Sequence, residues 1–358
     1  MSFGLLTFRS FIRSPIIAIN SNKVSKTIQR QYSNVMSHKT DNKTNLIEPK
    51  ELRFPLPYGH LAAKEWGNPN GLPVLAVHGW LDNCGSFDPL IPHILKPHDL
   101  HVVAIDEPGV GLSSHKPPGS EYGRWNTVLE MKRVVDHLKW TKFTIIGHSQ
   151  GGHFALLFGA SYPELVDRII TIDIFKPLTY RGDNWAKKVS KITEVHMRYE
   201  NFLNNDPSKD SKAPVYSEAD ALKRLMEGHG NSLNENSARI LMQRGTTKQK
   251  WGLTFSRDIR LKVPSLDPPP TDEQMTKFMA HLKCDLMIIM ANQTPYHIPE
   301  EIKQKYYDIY RTNSRYFEDI NIDGSHHLHM NDPIPVAHQI NQFIDRSLQL
   351  QLKPKPKL

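Results

Sequence analysis

Cysteine is nearly absent. The 358 residues contain two, Cys84 and Cys284, and no Cys-x-x-Cys pair. A disulfide-stapled secreted scaffold and a cysteine-based zinc module are therefore excluded. Long apolar runs are missing too. No stretch reaches 18 uncharged apolar residues, which excludes a membrane-spanning helix. Acidic residues are missing from one place, the first forty positions, which carry Arg9, Arg13, Lys23, Lys26, Arg30 and Lys39. Hydrophobic residues make up 39% and charged residues 23%, enough for a sizeable core and too regular for collagen, a coiled coil or a wholly disordered chain.

The net charge of +8 belongs to the ends. Without the six basic groups above and the tail's Lys353, Lys355 and Lys357, 36 of the 45 Lys and Arg remain, against 37 Asp and Glu. A nearly neutral body carries no basic stripe, so no nucleic-acid partner is expected. Residues 1–34 are rich in Ser and Arg. Leu5, Phe8, Phe11 and Ile12 fall at helical spacing. That is the profile of a mitochondrial presequence, with a cut expected before Ser33 in Arg30-Gln31-Tyr32-Ser33. The terminal Pro356-Lys357-Leu358 is one residue from a peroxisomal Ser-Lys-Leu signal. A start at Met36 would leave only that second address.

Residues 35–50 are polar and read as a linker. From Glu51 short apolar runs alternate with helical stretches. Leu52–Leu56 and His60–Trp66 are expected as strands. Val74–Val77, Val102–Ile105, Thr144–Ile146, Ile169–Ile172, Leu286–Met290 and Tyr316–Ile322 are expected as further ones. Most are continuous apolar runs, as in strands covered on both faces. Trp125, Val128, Val134, Val135 and Leu138 predict the buried stripe of one helix. Phe154 to Phe158 predict a second. Pro333 to Ile344 predict a third, with Asp332 as N-cap. This alternation implies an α/β fold with a mostly parallel sheet. Residues 176–282 break the rhythm. They are Lys-, Asn- and Ser-rich, helical in pattern, and show no convincing strand. They read as a helical cap between two late strands, with the core at 51–175 and 283–348 and a basic tail at 349–358.

Four segments carry chemistry or shape. Gly147-His148-Ser149-Gln150-Gly151 follows a strand and opens a helix, the context of a nucleophile elbow that lifts Ser149 clear of the sheet. Val77-His78-Gly79-Trp80 ends another strand, where a turned backbone would aim the Trp80 N–H, with that of Gln150, at an oxyanion. Asp106-Glu107-Pro108-Gly109-Val110-Gly111-Leu112-Ser113 reads as a rigid structural turn without chemistry. Gly324-Ser325-His326-His327-Leu328-His329-Met330-Asn331-Asp332-Pro333 supplies histidines between the last strand and the last helix, where a general base belongs in the order Ser, acid, His. A zinc site is not expected there, because no acidic or cysteine partner is positioned by sequence.

With these four segments, the chain resembles the α/β-hydrolases, and more narrowly the serine hydrolase-like proteins of the Kraken type, over residues 51–348. The resemblance implies a parallel-sheet core with a helical cap, hydrolysis of an ester-type small molecule, and no cofactor or metal. It also points to His326, seven residues before Pro333, as the base. His327 is the runner-up, and His329 a second histidine packing nearby. Many relatives carry the acid after the strand matching Leu286–Met290. Here Ala291-Asn292-Gln293-Thr294-Pro295-Tyr296 has no carboxylate. Asp173, one strand earlier, is the candidate, with Glu300 and Glu301 behind it. The expected reaction is cleavage of a carboxylic ester or thioester by Ser149, His326 and Asp173 through an acyl-enzyme. The serine argues against epoxide-hydrolase and dehalogenase chemistry, which need aspartate. The alternatives are a catalytically silent binding module, favoured by the missing carboxylate, and a zinc hydrolase using the histidines. Tyr180, Trp185, Tyr199, Phe202, Tyr216 and Trp251 are candidates for lining a pocket, though cap core is the simpler role. The sequence does not give the oligomeric state.

Overall fold

The computed structural model describes residues 48–180, 184–204, 214–266, 269–296 and 299–352. The basic N-terminal stretch, Met36 and Pro356-Lys357-Leu358 lie outside the described residues.

Eight strands form one sheet in the order β1-β2-β4-β3-β5-β6-β9-β10. They are β1 (Lys50–Leu56), β2 (Gly59–Gly67), β3 (Leu72–Val77), β4 (Leu100–Ile105), β5 (Phe143–His148), β6 (Val166–Ile172), β9 (Asp285–Gln293) and β10 (Tyr316–Ser325). β1 and β2 are antiparallel and β2 runs antiparallel to β4. Every other pairing is parallel. β1 starts at Lys50, inside the stretch expected as linker.

The central strands are apolar throughout because both faces are covered. Leu75, Val77, Ile145 and Ile288 point to one layer, which holds the helices Arg124–Leu138, Gln150–Ser161 and Glu300–Asn313. Val74, Ala76, Ile146 and Ile289 point to the other, with the helices Ile91–Leu95 and Pro333–Leu352. In the helix Arg124–Leu138 the buried stripe is Val128, Met131, Val134 and Val135. Trp125, expected on that stripe, is exposed and meets the Phe278 ring edge to face. No helix among the described residues is long and apolar enough to cross a membrane.

The chain passes from β3 to β4 on one side and places β5 on the other. The sheet's topological switch point therefore lies between β3 and β5, where the loops at the strand C-termini part and leave a crevice.

Between β6 and β9 come the helices Trp185–Asn204, Glu218–Gly228, Glu235–Gly245 and Asp272–Met279. They share this insertion with a hairpin, β7 (Thr246–Gln249) and β8 (Gly252–Phe255), paired antiparallel. The hairpin corrects the expectation that this mostly helical segment holds no strand. Its first strand reads Thr-Thr-Lys-Gln and is largely exposed, so it has no apolar run to betray it. Ala221, Leu222, Leu225, Leu241 and Met242 give the insertion a small core of its own. Arg244 ties it to the sheet, bonding the buried Asp106 carboxylate through Nη2 at 2.8 Å and Nε at 3.1 Å. Asp106 also accepts the main-chain N–H groups of Cys84 and Leu112. The turn read as structural is thus a buried hub. A pair of this kind is costly to break, because either partner alone would be an uncompensated buried charge.

Candidate active site

Three strand ends converge on one imidazole. Ser149 follows β5 and is the only residue between that strand and the helix Gln150–Ser161. The sharp turn holds it at φ +49°, ψ −115°, outside the regions that non-glycine residues favour. Such a turn needs the helix start to lie almost against β3. A Cβ on Gly151 would stand 2.0 Å from the Val77 carbonyl oxygen, so only glycine fits there. The elbow is pinned by the Ser149 N–H, which donates to the Ile172 carbonyl at 2.9 Å.

Asp173 follows β6 and is fully buried, also in the left-handed region at φ +52°. Its N–H donates to Ile289 of β9 at 2.7 Å. Its carboxylate accepts the Ala291 N–H on Oδ1 at 2.9 Å and the Thr294 hydroxyl on Oδ2 at 3.0 Å. The segment after β9, which lacks a carboxylate of its own, instead supplies the donors that fix the carboxylate of the neighbouring strand. His326 leaves β10 and spans the other two groups. Its Nδ1 is 2.5 Å from Asp173 Oδ2 and its Nε2 is 2.9 Å from Ser149 Oγ. The carboxylate only accepts, so Nδ1 carries the hydrogen. The lone pair of Nε2 then faces the serine hydroxyl.

The other candidates fall elsewhere. Glu300 and Glu301 are exposed in the first turn of their helix. That position suits acids, and Asp173 already holds Nδ1. His327 turns away from Ser149 toward Ser232 and Asp82, so the runner-up base is not at the serine. His329 is fully buried and packs on His148, with ring centroids 4.2 Å apart. The Trp80 and Gln150 N–H groups make no hydrogen bond within the described residues. Gln150 is the first residue of its helix, so its N–H has no partner one turn back.

A cavity of about 320 Å³ opens beside these two residues. Trp80, Gln150, His153, Phe154, Leu178 and Leu261 are among the residues lining it. Its far wall is the insertion segment 261–265, tied to the sheet where the Trp80 indole N–H donates to the Leu261 carbonyl at 3.1 Å. Glu107 and Lys116 also face the cavity. Burial raises the first and lowers the second, so both lean toward their neutral forms. His153 is pushed down to about 3 by burial, then by the charges of Arg124 and Lys176. It accepts the Leu178 N–H on Nδ1 at 3.2 Å. Among the described side chains, the aromatics proposed for a pocket do not line this one. Trp251 is 82% exposed and Tyr216 packs on Phe255. Trp185 and Phe202 fall outside the described side chains.

Sequence reasoning did not reach three contributors. Thr294 was passed over because it is not an acid. Asp82 and His229 come from a turn and an insertion helix end far apart in the chain, and meet with the Nε2 of His229 3.0 Å from Asp82 Oδ1. A signal for Asp82 existed, since it stands two residues after Trp80.

Comparison with known proteins agrees with this fold. Residues 73–268 match the family described as alpha/beta hydrolase fold. A "Serine hydrolase-like protein" of Danio rerio is 33% identical over 297 residues, covering 82% of this chain and 88% of its own. A "Probable serine hydrolase" of Drosophila melanogaster is 35% identical over 306 residues, covering 82% and 87%. Among solved structures, a hypothetical protein of Pseudomonas aeruginosa PAO1 superimposes with a TM-score of 0.71. It is 29% identical, over 84% of this chain and 99% of that one.

Proposed function

The chain belongs to the α/β-hydrolase family, and we propose that it is a serine hydrolase that cleaves a carboxylic ester or thioester through an acyl-enzyme. One observation carries the reading: the His326 ring bridges Ser149 Oγ at 2.9 Å and Asp173 Oδ2 at 2.5 Å. A silent binding module has no need of a buried carboxylate with two further donors behind that imidazole.

The chemistry follows from the protons. His326 Nε2 accepts the Ser149 proton as Oγ attacks the substrate carbonyl. The imidazolium that forms is held by Asp173, which stays a carboxylate. The carbonyl oxygen becomes an oxyanion, and the N–H groups of Trp80 and Gln150 are the donors assigned to it. Each such donor is worth about 2.7–4 kcal/mol in the transition state. Nε2–H then passes its proton to the leaving alkoxide or thiolate, whose bond to carbon breaks. In the second half water attacks the acyl carbon as His326 removes its proton, the bond from that carbon to Ser149 Oγ breaks, Nε2–H returns the proton to Oγ, and the acid leaves. The cavity beside Trp80 and Gln150 is the proposed place for the acyl group. Its apolar walls of Phe154, Leu178, Leu261 and Val263 suit a hydrocarbon portion.

Labelling by a fluorophosphonate probe tests the reading. Wild type is expected to label, and Ser149→Ala is expected not to. A folded wild type that resists the probe would overturn the proposal in favour of a binding module. Delivery to mitochondria through residues 1–34 remains part of the proposal, with a peroxisomal form starting at Met36. Fluorescent fusions starting at Met1 and at Met36 are expected to separate between the two organelles.

A further inference from the structure

A second constellation lies behind Ser149 and His326, built from their neighbours, and the proposed reaction does not use it. His148 precedes Ser149, His327 follows His326, and Asp82 stands in the turn after β3. All three side chains are buried.

Their hydrogens can be assigned. His148 Nε2 lies 2.9 Å from the His326 carbonyl oxygen. A carbonyl only accepts, so Nε2 carries the hydrogen and the neutral ring leaves Nδ1 bare. Ser232 Oγ gives its one proton to the His229 carbonyl at 2.7 Å. Its 2.8 Å contact with His327 Nδ1 is therefore Nδ1–H donating to Oγ, and His327 Nε2 is bare.

Both bare nitrogens face one oxygen. Asp82 Oδ2 is 3.4 Å from His148 Nδ1 and 3.5 Å from His327 Nε2. The three atoms lie within 4.8 Å of one another. Neither contact is a hydrogen bond, since no hydrogen lies between the atoms and both exceed the usual ~2.7–3.2 Å range. Asp82 Oδ2 and His148 Nδ1 have no hydrogen-bond partner among the described residues. The other oxygen, Oδ1, is held by His229 Nε2 at 3.0 Å. Three acceptor atoms thus lie together in one buried cluster.

We propose that Asp82, His148 and His327 form a binding site for a divalent transition-metal ion of the zinc type. Ligands about 2.0–2.1 Å from a tetrahedral ion stand about 3.3–3.4 Å apart, close to the two measured edges. Two imidazoles and a carboxylate are donors that zinc accepts, with the fourth position left to water. Each ligand is steadied from its far side, His148 by the His326 carbonyl, His327 by Ser232 and Asp82 by His229, the arrangement that orients metal ligands elsewhere. Gly79 keeps the cluster clear: a Cβ there would lie 2.7 Å from His148 Nδ1 and 2.8 Å from Asp82 Oδ2. An ion so held would fasten together the turn that carries Trp80, the elbow that carries Ser149 and the loop that carries His326. The site stands on this geometry and does not depend on the hydrolase reading.

The test uses the full chain without a histidine tag, stripped with a chelator and titrated with Co²⁺ and then Zn²⁺. One equivalent of Co²⁺ is expected to bind with the visible absorption of a four-coordinate site. Zn²⁺ is expected to displace it and to raise Tm. His327→Gln and Asp82→Asn are each expected to weaken binding by at least tenfold. A stripped wild type that takes up no stoichiometric ion overturns the proposal, as does equal binding by wild type and both variants. Should neither variant fold, X-ray absorption on Zn²⁺-loaded wild type decides. Two imidazoles and one carboxylate support the site, and any other protein ligand set overturns it.

Discussion

His148–Ser149 and His326–His327 are two pairs of chain neighbours divided between two constellations. One member of each pair joins the line Ser149–His326–Asp173 and the other joins the buried cluster with Asp82. On the outer side a hydrogen lies between each pair of partners: Ser149 to His326, and His326, Ala291 and Thr294 to Asp173. On the inner side the lone pairs of Asp82, His148 and His327 meet one another. The outer arrangement is ready to move a proton along a line. The inner one has no hydrogen to move between its three members and is suited to hold a cation. Residue type does not separate them, since each uses histidine and aspartate. What separates them is which ring nitrogen the surrounding backbone has already claimed.

The outer half is the easier to break. Ser149→Ala and His326→Ala are each expected to lower kcat by about six orders of magnitude, because members of such a unit fail together. Ester hydrolysis by the purified variants checks this, and a near-wild-type rate in His326→Ala would remove it from the mechanism. Asp173→Asn is expected to cost about 10⁴-fold in kcat, since the amide would favour the wrong imidazole tautomer. Thr294→Val keeps the shape but deletes one donor to the carboxylate. A hydrogen bond to a charged group is worth about 1.5–3 kcal/mol, so kcat is expected to fall roughly ten- to a hundredfold with KM little changed. His329→Leu sharpens the contrast from the inner side. Neither ring nitrogen of His329 has a hydrogen-bond partner among the described residues, and burial holds the ring neutral, far below its usual range. An apolar side chain of similar size can therefore replace it at little cost. Activity within about tenfold and an unchanged or higher Tm are expected, and thermal melting with steady-state kinetics checks both.

The outer half was also the more legible in the sequence. Ser149 and Asp173 stand at the ends of β5 and β6, whose both faces are buried, and such strands read as apolar runs. The elbow, the His326 loop and Asp173 could each be placed by counting from strand ends. Thr294 was not, because a hydroxyl that serves a carboxylate has no signature of its own. The inner half joins a turn after β3, the end of an insertion helix, the last residue of β5 and the loop after β10, which no local period connects. The β7–β8 hairpin escaped for a different reason, since its exposed polar strand gives no pattern of period two with an apolar face.

Asp173 and Thr294 leave neighbouring strands and meet 3.0 Å apart. The place beside the imidazole is thus built by two strand ends, β6 bringing the charge and the segment after β9 bringing the donors that hold it. Neither strand could shift along its neighbour without parting the acid from its donors, so the sheet register itself sets the aim of His326.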